Sequence, residues 1–335
     1  MLLQKRGTIP MNGLYRLTVI LLFASTSAFA APKAEKLPAH CDRACLIGAM
    51  DNYLAALIAH DPSRVPLSPH VEFVENTVPM HPGEGLWKTA DALPTTFKIY
   101  VPDPVSEEVG ILCVMSAGNM PIEASFRLKI RRGEIVAVEH LWAGDLKPAN
   151  LKNLQTPRPG FLATVPATER VPRAEMLKIA GTYYTAVTTA DANDAPFAAD
   201  CQRHENGIPT TGNSLPANPT PRQVLGSLGC AAQLKTHVMD YIKTIEPRRL
   251  MIADPQTGLA MGFSQFRHPM KENAEKIVGV PGITSQSMTF KPFDNVAVHI
   301  FKISGGSIHE IEALGHSGMP YDSPTGWENF PDHGR

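Results

Sequence analysis

The chain has 335 residues, of which 43% are hydrophobic and 19% are charged, and its formal net charge at pH 7 is −1. This is ordinary globular composition for one or two domains, and the overall charge does not indicate a surface that binds polyanions. No run of basic residues with interleaved aromatics occurs, so nucleic acid is not expected as a partner.

The N-terminus has the pattern of a secretory signal peptide over residues 1–30. Lys5, Arg6 and Arg16 precede the apolar run "LTVILLFA", and Ala28 and Ala30 form a small-residue cleavage pattern. The run is too short to cross a bilayer, which takes about 20 apolar residues. The sequence therefore predicts a periplasmic or secreted protein with no membrane attachment after cleavage.

Five cysteines fit an oxidising compartment, although an odd number cannot all pair internally. Cys41 and Cys45 have the spacing of a local clip, and a disulfide between Cys201 and Cys230 could tie down the Gly-, Pro- and Asn-rich stretch between them. Cys113 lies in the apolar "GILCVM" and is expected to be a buried thiol. The spacings do not match a zinc site.

The chain repeats one pattern. A shift of 130 positions pairs the Glu-Asn dipeptide at 75–76 with that at 205–206, and also Tyr53 with Tyr183. Each copy starts with a helical pattern, and the stretch leading to Glu-Asn is expected to form a short helix or a loop. Each copy ends in alternating strands joined by a Gly-containing turn.

The second copy is longer than the first. A shift of 173 positions aligns Glu139 with Glu312 in the closing hairpins, so the second copy has 43 more residues between Glu-Asn and its hairpin. Two segments rich in Pro, Gly and Asn, near 210–229 and 267–287, have the pattern of insertions. They are expected to be surface loops or lids.

In each copy the predicted helices come first and the antiparallel strands come last, which is the element order of an α+β fold. The sequence predicts two tandem cone-like domains, each with helices packed on a curved antiparallel sheet. The first domain covers 41–143 and the second 174–327, and the Pro-rich stretch 146–173 is the predicted linker.

This element order, at about 130 residues a copy, resembles the nuclear transport factor 2-like superfamily, which includes SnoaL-like cyclases, ketosteroid isomerase, scytalone dehydratase and limonene epoxide hydrolase. The motifs "CQRHENG" and "IHEIEALGHSGMPYDSPTGW" also resemble an uncharacterised domain family of secreted fungal and bacterial proteins. The superfamily resemblance implies a cone-shaped pocket in which a desolvated acid or base shuttles protons. It transfers no individual catalytic residue, because no local motif of those enzymes occurs here.

The densest cluster of chemically active side chains is Arg203, His204, Glu205 and Asn206. In the functional interpretation, His204 or Glu205 is a general acid or base, and Asn206 polarises a carbonyl. In the structural interpretation, Glu-Asn fixes a turn, as Asn commonly does. Because Glu-Asn occurs in both copies, the two interpretations stay open.

The first copy supplies Tyr53, Glu75 and Asn76 as equivalents of this cluster. It has Val74 where the second has His204, and it lacks the longer insertions. The second copy is therefore predicted to be the active or ligand-binding one, with the first as scaffold.

Further binding residues are expected around the predicted pocket. Tyr183 is the counterpart of Tyr53, and the coil-like C-terminal tail carries His316, Tyr321 and Trp327, which could line or close the pocket mouth. The alternative is a strap that covers apolar surface.

No cofactor and no metal are expected. His70, Glu72 and His81 could be drawn as a metal site, but no fixed spacing supports one. Phosphate-loop, nucleophile-elbow, zincin and EF-hand patterns do not occur. The predicted function is a cofactor-independent lyase or isomerase acting on a small, largely apolar carbonyl or hydroxylated compound. The alternative is a non-catalytic exported module that binds a small molecule or a partner.

Overall fold

A computed structural model describes residues 34–144 and 146–331, so the predicted signal peptide lies outside the described residues. The first half forms two helices and a seven-stranded sheet, in the order β2-β1-β7-β6-β5-β3 with β4 also paired to β5. Its elements are α1 Arg43–Ile58, β1 Leu67–Glu75, β2 Val78–Pro79, α2 Leu86–Thr89, β3 Ala90–Ala92, β4 Lys98–Asp103, β5 Glu108–Ala117, β6 Met120–Arg131 and β7 Glu134–Ala143.

The second half repeats this arrangement with the strand order β10-β11-β14-β15-β8-β9. Two short helices, α3 Pro148–Asn153 and α4 Pro159–Leu162, precede it in the predicted linker. Its elements are α5 Arg173–Thr189, β8 Phe197–Glu205, β9 Ile208–Pro209, α6 Pro221–Ser227, α7 Cys230–Leu234, β10 Thr244–Asp254, β11 Leu259–His268, β12 Ala274–Val280, β13 Ile283–Ser287, β14 Phe293–Ser304 and β15 Ser307–Pro320. The predicted α+β class with two tandem sheets is confirmed.

Two local expectations are wrong. The stretch before Glu-Asn is a strand, not a helix or loop, and it pairs in parallel with the last strand of its sheet, β1 with β7 and β8 with β15. Each sheet is therefore mixed rather than purely antiparallel. The sequence pattern missed this because the partner strand lies more than 60 residues away, as in the pairing of Glu75 with His140.

The repeated Glu-Asn has a backbone cause. Asn76 and Thr77 have φ of 45° and 67°, and Asn206 and Gly207 have φ of 48° and 71°, so each pair forms the tight turn of a two-residue hairpin. Asn76 also accepts from the Trp142 amide (2.9 Å) and donates to the Trp142 carbonyl (3.2 Å). Each Asn thus fixes both a turn and a strand pairing.

Each sheet has two buried faces. The inner face packs against its own helix, α1 or α5, around a separate apolar core. The outer faces of the two sheets pack on each other around a third apolar cluster that includes Leu112, Leu141, Met261, Val298 and Leu314. The described residues accordingly form one compact unit, and we call the contact between the outer faces the seam.

The two insertions pack on each other. The segment containing α6 and the hairpin β12–β13 share a small apolar cluster of Leu225, Ile277, Val280 and Ile283. The predicted disulfides Cys41–Cys45 and Cys201–Cys230 are confirmed, and Cys113 is a buried free thiol. The second disulfide anchors α7 to β8. None of the helices in the described ranges has the length and apolar character needed to cross a membrane.

Candidate functional site

The inner face of the first sheet is filled by large side chains. Strand register places Glu75, His140 and Phe126 side by side across β1, β7 and β6. The Tyr53 hydroxyl lies 2.8 Å from Nε2 of His140, and Nδ1 of His140 lies 2.9 Å from the Glu75 carboxylate. Trp142 donates from Nε1 to Glu75 at 3.2 Å. These side chains satisfy one another and leave little room for a ligand.

Glu75 is a structural carboxylate. Burial alone would raise its pKa, but hydrogen bonds from His140, the Leu86 amide and Trp142 outweigh burial and lower that pKa. It therefore stays ionised and holds three elements together.

The second sheet carries small residues at the equivalent positions. The corresponding row is Glu205, Ala313 and His299 across β8, β15 and β14. Ala313 stands where the first sheet has His140, and Gly315 stands where it has Trp142. The space that these side chains fill in the first domain is therefore open in the second.

The opening is a cavity of about 970 Å³ in the second domain. This is at the upper end of the size range of small-molecule sites. Its lining combines polar side chains at the sheet with apolar ones from α5, the strands and the insertions. The lining includes Tyr183, Val187, Arg203, Glu205, Leu225, Gln233, Val238, Met239, Tyr241, Ile242, Phe266, His268, Ile283, Met288, Phe290, Phe293, His299 and Ala313.

Arg203 is the buried cation of this cavity. It donates to the Tyr183 hydroxyl (3.2 Å), to Oε1 of Gln233 (2.7 Å) and to Oγ1 of Thr210 (2.9 Å). Its Nε also lies 3.2 Å from the Glu205 carboxylate. Burial alone would lower the pKa of Arg203, but its contacts with Tyr183 and Glu205 raise it, so the guanidinium stays charged.

Glu205 and Tyr183 are the two groups that could exchange protons with a ligand. The Glu205 side chain is 45% exposed, because Ala313 and Gly315 leave it without the partners that bury Glu75. Burial raises the pKa of Tyr183, although Arg203 acts in the opposite direction. Tyr183 is therefore a neutral phenol whose oxygen accepts from a cation, which leaves its proton free for donation.

The other predicted catalytic residues have different surroundings. His204 points to the opposite face of the sheet from Arg203 and does not line the cavity. Burial, with a smaller effect of Arg158, lowers its pKa to about 4, so His204 is neutral. Asn206 borders the cavity, but its side-chain amide is occupied by the backbone of Gly315, as donor at 3.0 Å and acceptor at 2.9 Å.

The predicted closing residues also lie elsewhere. Nδ1 of His316 lies 3.0 Å from the Trp142 carbonyl in the seam. Trp327 is buried beside Val74 on the outer face of the first sheet, where it donates to Glu139 (3.1 Å). Tyr321 is largely exposed and does not line the cavity. The C-terminal tail therefore resembles the strap of the alternative interpretation, because Trp327 packs on the first domain.

Sequence reasoning missed His299, Gln233 and Tyr241. The alternation in "VAVHIF" was a usable signal for His299, because Ala297, His299 and Phe301 share one face of β14. No signal identified Gln233, in α7, and Tyr241, between α7 and β10, which also line the cavity. No group of three or more His, Cys, Asp or Glu in residues 34–144 and 146–331 is arranged to hold a metal ion.

The comparison with protein-family models gives a match in the second domain. A family model described as "Domain of unknown function (DUF8021)" matches residues 169–315. No curated protein matches the chain. The family model brings no described activity.

Several solved structures are similar to part of the chain. They include an NTF2-like protein of unknown function from Cytophaga hutchinsonii (13% identity, 29% of this chain and 89% of that chain, TM-score 0.25). Another is the epoxide hydrolase/cyclase-like enzyme SalBIII of pyran ring formation in salinomycin (17% identity, 44% and 96%, TM-score 0.27). A third is an NTF-2 like protein from Burkholderia xenovorans (12% identity, 45% and 88%, TM-score 0.25). Function is therefore inferred from the cavity itself.

Proposed function

We propose that the second-domain cavity binds a small, largely apolar carbonyl or hydroxylated compound and catalyses a cofactor-independent lyase or isomerase reaction. The observation that carries this proposal is that a carboxylate, Glu205, and a cation-polarised phenol, Tyr183, border one cavity and share Arg203. A base and a proton donor that can reach the same ligand are what proton transfer at carbon requires.

The chemical steps follow from these positions. Glu205 takes a proton from the carbon next to a carbonyl, and the C–H electron pair becomes a C=C bond as the carbonyl oxygen gains negative charge. Tyr183, polarised by Arg203, donates a hydrogen bond to that oxygen. The protonated Glu205 then returns the proton to another carbon, which is an isomerisation. In the elimination, the electron pair expels a β-hydroxyl group, which leaves as water with that proton.

The test uses β-tetralone, a bicyclic ketone with exchangeable α-protons. We expect the protein to accelerate deuterium incorporation into β-tetralone in D₂O, followed by NMR. Glu205→Gln should lower this rate about a hundredfold or more, the usual size of a general-base contribution, and Tyr183→Phe should lower it by a similar factor.

The matched control is Glu75→Gln, the same substitution at the equivalent strand end. It removes no group of the cavity, so the folded variant should keep the wild-type exchange rate. Exchange that survives Glu205→Gln but is lost in folded Glu75→Gln would show that the site lies in the first domain and would contradict the proposal. Binding of β-tetralone without exchange would support the non-catalytic binding function instead.

We also propose that the protein is exported. The disulfides Cys41–Cys45 and Cys201–Cys230 support this, because such bonds persist in oxidising compartments. N-terminal sequencing of the protein from periplasmic and culture-medium fractions tests it. Cleavage after Ala30 is the expected result, and an uncleaved chain in the cytosol would contradict it.

A further inference from the structure

His299 is a buried imidazole with an unsatisfied nitrogen at the edge of the cavity. The residue is 3% exposed and lines the cavity, and its Nδ1 is enclosed without a hydrogen-bond partner. Nε2 is not enclosed in this way, so it is the ring nitrogen that reaches the cavity. A buried polar side chain with no partner of its own is costly unless something else supplies one.

The orientation of the ring is fixed by aromatic neighbours. Phe266 and Phe301 stack on it with centroid distances of 5.4 and 5.8 Å and interplanar angles of 27° and 15°. Tyr184 meets it edge-on at 5.4 Å, and Tyr183 lies 5.5 Å away. A ring held on several sides cannot easily rotate, so Nε2 keeps its direction toward the cavity.

The ring is neutral. Burial, with a smaller effect of the nearby Arg203, lowers the pKa of His299 to about 3. Besides Arg203, the titratable groups around it are Tyr183, Tyr184 and, across Ala313, Glu205. Leaving an acceptor unpaired at the enclosed Nδ1 is less costly than leaving a donor there, because a buried N–H almost always needs a partner. The proton therefore resides on Nε2.

We propose that His299 is a neutral hydrogen-bond donor that binds an acceptor oxygen of the cavity ligand through Nε2–H. This inference rests on the proposed function of the same cavity, and it adds a binding and catalytic residue to Glu205 and Tyr183. A neutral imidazole donates without bringing a second full charge beside Arg203.

The strand register gives the proposal its geometry. His299 and Glu205 lie in one row with only Ala313 between them. Two strand spacings of about 4.8 Å separate their backbones by about 10 Å. A flat molecule that lies over Ala313 can therefore present a C–H group to Glu205 on one side and a carbonyl oxygen to His299 on the other. The ligand class is a compact ketone or ester with an acidic C–H near its carbonyl.

The first test needs no ligand. In ¹⁵N-histidine-labelled protein, the NMR signals of the His299 ring, assigned by their loss in His299→Phe, should show a proton on Nε2. They should not titrate between about pH 5 and 8. A proton on Nδ1, or titration in that range, overturns the inference.

The second test compares binding of β-tetralone with binding of tetralin, which has the same skeleton without the carbonyl. His299→Phe keeps the stacked ring but removes the donor, and we expect it to weaken β-tetralone binding about tenfold and leave tetralin unchanged. His299→Gln, which restores an N–H donor, should recover part of the loss. His309→Phe is the control, because His309 lies outside the cavity beside Asp200, and it should leave the ratio of the two affinities unchanged.

The outcomes separate this inference from the proposed function. Carbonyl preference that depends on His299, without deuterium exchange, supports the inference and contradicts the enzyme. Deuterium exchange that is lost in Glu205→Gln but unchanged in His299→Phe supports the proposed enzymatic function and overturns the inference. A wild-type protein with no preference for β-tetralone over tetralin also overturns it.

Discussion

Glu75 and Glu205 stand at equivalent strand ends but in opposite environments. Glu75 is 3% exposed and bonded to His140, Trp142 and the Leu86 amide. Glu205 lies beside Ala313, whose side chain offers no hydrogen bond, and it pairs with Arg203 at the cavity. The partner residue on the neighbouring strand, and not the repeated Glu itself, decides whether the carboxylate has a structural or a chemical role.

This difference predicts the stability of Glu75→Gln. The amide cannot replace all the hydrogen bonds that a buried carboxylate accepts, so we expect the free energy of unfolding to fall by about 1–3 kcal/mol. Because the folded-state pKa of Glu75 is lowered, its stabilising contribution is present above the ordinary pKa and is lost as pH falls through the folded value. Urea unfolding at neutral and acid pH measures both effects. Glu205→Gln is the control, and a loss as large as that of Glu75→Gln would contradict the assignment.

At the scale of elements, the repeat predicted most of the architecture. The shift that aligns the two Glu-Asn dipeptides also aligns α1 with α5 and β1 with β8, and the closing hairpins follow. The cavity could not be predicted, because it depends on which residues become neighbours across strands. Ala313 lies beside Glu205 and His299 only through pairings that join β8, β14 and β15, and no local pattern encodes that register.

The importance of the small residue in this row can be tested with Ala313→Leu. The larger side chain should occupy space that His140 fills in the first domain, and we expect β-tetralone binding to fall at least about tenfold while the fold persists. Calorimetric titration measures the affinity and circular dichroism checks the fold. Ala199→Leu is the control, because Ala199 is an exposed position of β8. Unchanged binding in folded Ala313→Leu would place the ligand elsewhere.

At the scale of the whole molecule, the seam buries charges as well as apolar side chains. Glu139 pairs with Arg127 and with Arg249 of the other sheet. Glu123 of β6 is fully buried, and neither of its carboxylate oxygens has a hydrogen-bond partner. Glu312 of β15 acts on it from the second sheet. The face that joins the domains therefore contains acids that are stable there mainly in their protonated form.

These acids predict how stability depends on pH. Burial, reinforced by Glu312, raises the pKa of Glu123 well above its ordinary value. Burial likewise raises the pKa of Glu312 to about 7, although Arg158, which lies 3.2 Å from it and 3.1 Å from Glu310, acts in the opposite direction. The neighbouring His204 is neutral and changes little in this range.

A folded-state pKa above the unfolded value means that the native protein holds more protons, so the contribution to stability is complete below about pH 4.5 and is lost as pH rises through about 7. We therefore expect the melting temperature to fall by several degrees between about pH 5.5 and 8. Glu123→Gln and Glu312→Gln should flatten this profile, because neutral amides do not titrate. Glu169→Gln, at an exposed site, should keep the wild-type slope. Calorimetry across this range measures the profiles, and a melting temperature that rises with pH in the wild type but not in Glu123→Gln would contradict protonated acids in the seam.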